Sequence, residues 1–201
     1  MSSISLQFEE SSSAATPLLI RKAQMRDIDR LLKLINGYAG EGLMLPRTEF
    51  EISENIRDFT IVHAEGRLVA CGALHFYTPT SGEIRSLAVD STLKMHGLGR
   101  LVVESLEHEA EENSLHAVFA FTYVPGFFRK MGFRTVDRGE LPLKVWKDCL
   151  RCSKFQCCDE IAVLKALRPD PVLQLKEVPV PDEFDVPLSS IELPHVKVSS
   201  T

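Results

Sequence analysis

Residues 83–100, EIRSLAVDSTLKMHGLGR, run from a strand pattern through a short polar loop into a helix that opens on two glycines. Period-two alternation predicts Ile84, Ser86 and Ala88 on one face of the strand and Glu83, Arg85, Leu87 and Val89 on the other. From Gly97 the period becomes helical. Leu98, Leu101, Val102 and Leu106 share one face, and Glu104, Glu107, His108, Glu111 and Glu112 face water. The loop therefore meets a helix N-terminus, where unpaired N–H groups and a positive macrodipole receive anions such as phosphate. Gly97 and Gly99 allow close approach of backbone to a ligand. The P-loop and the GxGxxG dinucleotide fingerprint are both absent, which removes two common nucleotide readings.

The segment resembles the acetyl-CoA motif of the GNAT superfamily of N-acetyltransferases, a strand ending Leu-Ala-Val followed by Gln/Arg-x-x-Gly-x-Gly-Ala/Gly. Leu87, Ala88, Val89, Lys94, Gly97 and Gly99 occupy those places, with Lys94 for the usual Gln or Arg and Arg100 for the final small residue. A second family signature, a strand and then a helix ending FYxxxGF, has its counterpart in AVFAFT at 117–122 and FFRKMGF at 127–133. The resemblance implies a GNAT fold, α/β with a central mixed sheet flanked by helices. It also implies acetyl-CoA bound by Leu87, Ala88, Val89, Lys94, Met95, His96, Gly97, Leu98, Gly99, Arg100 and Phe128.

Composition agrees with one domain. The 201 residues are 44% hydrophobic, enough for one substantial core, and the formal net charge of -5 gives no basic footprint for nucleic acid. No apolar run suits a membrane span and no signal peptide is apparent, so a cytoplasmic protein is expected. Serine-rich residues 1–17 and proline-rich residues 169–201 read as flexible tails around an acetyltransferase domain at 18–168. Within the domain, strands are predicted at Leu18–Lys22, Thr60–Ala64, Leu68–Tyr77 and Ile161–Leu167, and a helix at Met25–Tyr38. Thr48 and Glu51 form a capping box for a second helix, and EGR at 65–67 marks a hairpin turn.

Acetyl transfer needs a base for the attacking amine and a donor for the oxyanion. Glu83 is the first candidate base and His75 the competitor. By resemblance, backbone N–H groups of a bulge at Leu87–Val89 serve the oxyanion. The family's usual acid, the Tyr of FYxxxGF, is replaced by Phe128. Tyr123 is the candidate substitute, and a thiolate of ordinary pKa, roughly 8.5, also leaves unaided. FFRKMGF resembles the N-acetylglutamate synthase form of the motif. GLMLPRTEFEI likewise resembles the synthase segment whose Arg meets the amino-acid substrate, which puts Arg47 there. Arg151, Cys152, Ser153 and Lys154 resemble an Arg-x-Ser-Lys stretch that binds substrate carboxylates, with Arg85 and Lys144 adding positive field.

The resemblance thus implies transfer to the α-amino group of L-glutamate, the first step of arginine biosynthesis. The chain is too short for the amino-acid-kinase domain of long synthases, so arginine feedback through that domain is expected to be absent. Another small amine, a protein N-terminus, or a noncatalytic acetyl-CoA sensor are the alternatives. Monomer and homodimer both remain open. Cys149, Cys152, Cys157 and Cys158 follow CxxCxxxxCC; a metal-free thiol cluster is expected, with zinc and a redox-sensitive disulfide as alternatives. Cys71 is expected in the core.

Overall fold

The computed structural model describes residues 4–6, 17–92, 97–141 and 158–168. Strands β1 (Ile4–Leu6), β2 (Leu18–Lys22), β3 (Phe59–Ala64), β4 (Arg67–Phe76), β5 (Ser81–Val89), β6 (Ala117–Thr122), β7 (Arg134–Thr135) and β8 (Ile161–Ala166) form one mixed sheet ordered β1-β2-β3-β4-β5-β6-β8-β7. Helices α1 (Ile28–Gly40) and α2 (Glu49–Glu54) follow β2, α3 (Leu98–Glu112) joins β5 to β6, and α4 (Pro125–Lys130) follows β6. The α/β expectation stands. Within the stretch expected to be an N-terminal tail, Ile4–Leu6 instead adds an antiparallel strand to the edge of β2.

Local chemistry accounts for the boundaries. Glu65 and Gly66 take φ values of 50° and 75°, the left-handed pair that a tight hairpin between β3 and β4 requires. Thr48 and Glu51 exchange capping hydrogen bonds at the start of α2, which ends at Glu54 and is followed by a 3-10 turn at Ile56–Asp58, so the helix expected from the sequence to run to about Asp58 is broken in two. Apolar residues on α3 pack with Val62, Leu74, Ile84 and Val118 on one face of the sheet. Leu31 and Ile35 of α1 and Ile52 of α2 pack with Ile61, Cys71, Ala73 and Ala88 on the other.

The simple alternation predicted for β5 fails at one point. Ala73 pairs with Arg85 but Cys71 pairs with Ala88, so β5 spends one residue more than β4 across this interval. The extra residue is a β-bulge, and Ser86 adopts φ 53° there. Parity inverts in consequence. Ile84, Leu87 and Val89 all face α3, whereas Ala88 faces α1. Gly72 stands across from the bulge, where an added Cβ would lie 2.7 Å from Cγ1 of the buried Val102. Cys71 is fully buried as expected, its Sγ lies 3.6 Å from the Ser86 carbonyl, and burial pushes its thiol up to about 12.

Glu107 also departs from expectation. It does not face water: its side chain is 13% exposed and its carboxylate accepts from Lys165 Nζ of β8 at 2.7 Å.

Asp27 anchors the entry to α1. Its carboxylate, 1% exposed, accepts from both Arg21 Nη atoms at 2.8 and 2.9 Å and from the Gln24 backbone N–H at 2.8 Å. Burial is the largest influence and pushes this carboxyl upward. The Arg21 hydrogen bond, the Gln24 N–H and the Arg21 and His63 charges together outweigh it and leave Asp27 below its ordinary value. With the folded value depressed, the stabilisation is fully present above about pH 4 and is lost as pH falls through the folded value. Asp27→Asn is expected to lower unfolding free energy by about 2 kcal/mol at neutral pH, less than for a fully buried pair because Arg21 touches solvent. Urea midpoints at pH 7 and pH 3 check this: the difference between wild type and variant should shrink at the lower pH.

Candidate active site

The sheet splits at its centre. β5 and β6 run parallel with Ser81, Gly82 and Glu83 opposite Ala117, Val118 and Phe119, and among the described residues their pairing stops there. Beyond this point β5 keeps its pairing with β4, and β6 keeps the pairing with β8 that runs along its whole length. Glu83 therefore sits at the vertex of a cleft. It is 9% exposed, lies between His75 of β4 and Phe119 of β6 in register, and shares with them the face that α2 covers.

From the vertex, β5 runs roughly 20 Å to Val89 at the rise of an extended strand. The carbonyl of Val89 accepts a hydrogen bond from the Tyr38 hydroxyl, which ties the end of α1 to the end of the strand. Burial, with the nearby acidic groups, raises the Tyr38 pKa and keeps that proton in place. α3 then begins at Gly97, whose φ of 88° is left-handed. Among the described residues no side chain caps this helix and its first turn holds no acidic residue, which suits its first N–H groups to receiving an anion. Nothing among the described residues lies within 4 Å of a Cβ added to Gly97. The space is suited to a pyrophosphate.

Phe128, expected against acetyl-CoA, is 3% exposed and edge-packed at 5.1 Å on both Phe127 and Phe133 in the core. Its neighbour Phe127 is the ring at the cradle, 3.5 Å from a Cβ built on Gly99. Successive residues on a helix point about 100° apart, so only the phase of α4 decides which ring turns inward.

The other expected site residues fall into three groups. Leu98, Gly99 and Arg100 form the first turn of α3, with Arg100 donating to Glu104 at 2.7 Å, while Leu87, Ala88 and Val89 lead into it. Arg85 and Arg47 lie on the α2 side. The Arg85 side chain is 13% exposed, with Nη2 3.4 Å from Asn55 Oδ1 and 3.8 Å from Asp58. Asn36 of α1 grips the Arg47 backbone from both directions, at 2.8 and 2.9 Å. Tyr123 closes β6, its hydroxyl donating to the Asp159 carboxylate at 2.9 Å.

Lys94, Met95, His96, Lys144, Arg151 and Ser153 lie outside the described residues, as do Cys149, Cys152 and Cys157. Cys158 is half-buried, with Sγ 3.9 Å from a Glu160 carboxylate oxygen. Among the described residues no group of His, Cys, Asp and Glu is arranged to hold a metal ion, and no helix is long and apolar enough to cross a membrane.

A parallel pair that splays beside a helix N-terminus leaves a cleft with an anion-receiving end, which suits an elongated phosphate-bearing ligand. The chain belongs to the acetyltransferase (GNAT) family, whose profile matches residues 26–133. It is thus an acetyl-transferring enzyme with acetyl-CoA as co-substrate. It is 40% identical over 153 residues to an uncharacterised N-acetyltransferase of Chlorobaculum tepidum, covering 76% of this chain and 99% of that one. It is 30% identical to an amino-acid acetyltransferase of Mycobacterium tuberculosis, covering 66% and 78%. The fold superposes with a TM-score of 0.69 and 25% identity on N-acetylglutamate synthase from Neisseria gonorrhoeae complexed with coenzyme A and N-acetyl-glutamate, covering 76% of this chain and 35% of that one.

Gly97→Ala should test the cradle. Forcing a side chain into the left-handed region is expected to lower stability by about 1 kcal/mol. The acetyl-CoA KM should rise about tenfold, because a Cβ enters the space before the N–H groups; steady-state kinetics at saturating acceptor reads this directly.

Proposed function

We propose that this enzyme moves the acetyl group of acetyl-CoA to the α-amino group of L-glutamate. The observation that carries the reading is Glu83: a carboxylate at the vertex of the cleft, on the face where Arg85 and the segment bearing Arg47 gather. The likeness to a Mycobacterium amino-acid acetyltransferase, and to a synthase solved with N-acetyl-glutamate, supports the choice of acceptor. A product of this kind would feed arginine biosynthesis in the cytoplasm.

Acetyl-CoA supplies a thioester carbonyl activated toward an amine. The chain's residues do the rest. The acceptor arrives as an ammonium, and Glu83 removes one proton, directly or through water, so that the nitrogen lone pair can attack. Backbone N–H groups of Leu87–Val89, the stretch in which β5 leaves the bulge and regains its register with β4, are the donors assigned to the carbonyl oxygen. Arg47, with Arg151 and Ser153 from outside the described residues, takes the acceptor's carboxylates. Arg suits this task because its fork is planar, permanently charged and bidentate. Arg85 and Lys144 add positive field, and Tyr123 remains the candidate proton donor to the departing thiolate.

A thiol-release assay with glutamate, glutamine and aspartate tests the acceptor. A clear preference for glutamate is expected, and equal rates on all three would overturn it in favour of a broader amine acetyltransferase. Binding of acetyl-CoA with no thiol release on any amine would instead mark a sensor. Glu83→Gln should lower kcat about 100-fold with the acetyl-CoA KM unchanged. Arg47→Ala should raise the glutamate KM at least about tenfold, the loss of one charge-assisted pair, while leaving the acetyl-CoA KM alone.

A further inference from the structure

Beside Glu83 stands a polar pair to which the mechanism above gives no step, His75 having entered only as the competing candidate base. Asp58 ends the 3-10 turn that follows α2, and His75 lies one residue from the end of β4. His75 Nδ1 is 2.7 Å from an Asp58 carboxylate oxygen, with the two side chains 32% and 25% exposed. A carboxylate accepts and cannot donate, so the proton of the neutral imidazole sits on Nδ1 and Nε2 keeps its lone pair. Tyr77 meets the ring edge-on at 5.0 Å and fixes its plane. Arg85 Nη2 reaches the same Asp58 oxygen at 3.8 Å.

His75 is also the register partner of Glu83 on the adjacent strand. Cross-strand partners project to one face with Cβ atoms about 5 Å apart, within reach of a proton transfer between a glutamate and an imidazole. Among the described residues, the charged and titratable groups facing the ring are Asp58 from the 3-10 turn, Glu83 and Arg85 from β5, and Tyr77 just beyond β4, with Lys22 of β2 on the Asp58 carbonyl at 3.0 Å and Glu109 of α3 beside that lysine. Stability does not account for the pair, since a half-exposed ion pair contributes about 0–1 kcal/mol. Glu83, at 9% exposed, has by contrast a chemical need: a proton it accepts must leave before the next turnover.

We infer that Asp58 and His75 form the proton outlet of Glu83. The inference rests on Glu83 being the base. One N–H bond of the acceptor ammonium breaks as an O–H bond forms on Glu83. That O–H then breaks as Nε2 of His75 takes the proton, and the resulting imidazolium is stabilised by the Asp58 carboxylate. The partly exposed ring hands the proton to water, returning Glu83 to its carboxylate. One proton passes from acceptor to solvent per acetyl group moved. Asp58 and His75 are positioning and relay residues, since they act through Glu83.

The test uses the full chain with acetyl-CoA and L-glutamate between pH 6 and pH 9.5, with melting temperatures recorded alongside. His75→Gln should lower kcat about tenfold at pH 7 while both KM values stay within about twofold. Added imidazole, or a pH high enough to neutralise the acceptor amine in solution, should restore most of the loss. Asp58→Asn, which keeps an oxygen to hold the ring but removes the counter-charge, should lower kcat by several-fold with the same recovery. Wild-type kcat in either variant, beside an impaired Glu83→Gln, overturns the outlet and leaves the base standing. A loss that neither imidazole nor alkaline pH relieves makes the pair structural and also overturns it. Wild-type turnover in Glu83→Gln removes the base, and the outlet with it.

Discussion

One surplus residue in β5 sets the terms for everything around it. The bulge at Ser86 shifts the strand by one position against β4, so Leu87 and Val89 turn to α3 while Ala88 turns to α1. A strand kept in strict alternation would present the opposite set to each helix layer. The helices can close over this irregular place because Gly72 brings no side chain against Val102. Strand pairing is given up on one side of β5 after Glu83, and the cleft that opens there is where a donor and an acceptor can meet.

The elements that frame the cleft are tied down at their ends. Tyr38 holds the last carbonyl of β5, Asn36 holds the backbone of Arg47, and the Arg21–Asp27 pair fixes where α1 starts. Lys165 and Glu107 bind β8 to α3 across the opposite layer. Side chains at the vertex thus rest on a scaffold whose positions are determined twice, by apolar packing and by hydrogen bonds with defined direction.

Much of this was legible in the chain because it is local. The left-handed turn at Glu65–Gly66, the Thr48–Glu51 cap, the strand Leu18–Lys22 and the glycines at the head of α3 depend on residues within a few positions of one another. What escaped depends on partners far along the chain. Glu107 is drawn inward by Lys165, His75 gains its meaning from Asp58, and the bulge, expected by resemblance at Leu87–Val89, has its left-handed residue at Ser86, across from Gly72 of β4. Which of Phe127 and Phe128 turns toward Gly99 is a question of helix phase, which composition cannot report. Glu83 was singled out from the sequence by its place near the start of a strand; its position at a vertex required knowing where β6 parts from β5.

The two halves of the cleft are written in different materials. On the α3 side the features are main-chain ones: a left-handed glycine, the N-terminus of a helix and a strand carrying a bulge. On the α2 side they are side chains, at Asn55, Asp58, His75 and Arg85. Point mutation rewrites side chains freely but alters a backbone path only at the cost of rebuilding its surroundings. Descendants of such a chain can therefore trade one acceptor for another by single substitutions, while the acyl carrier stays an ancestral constant.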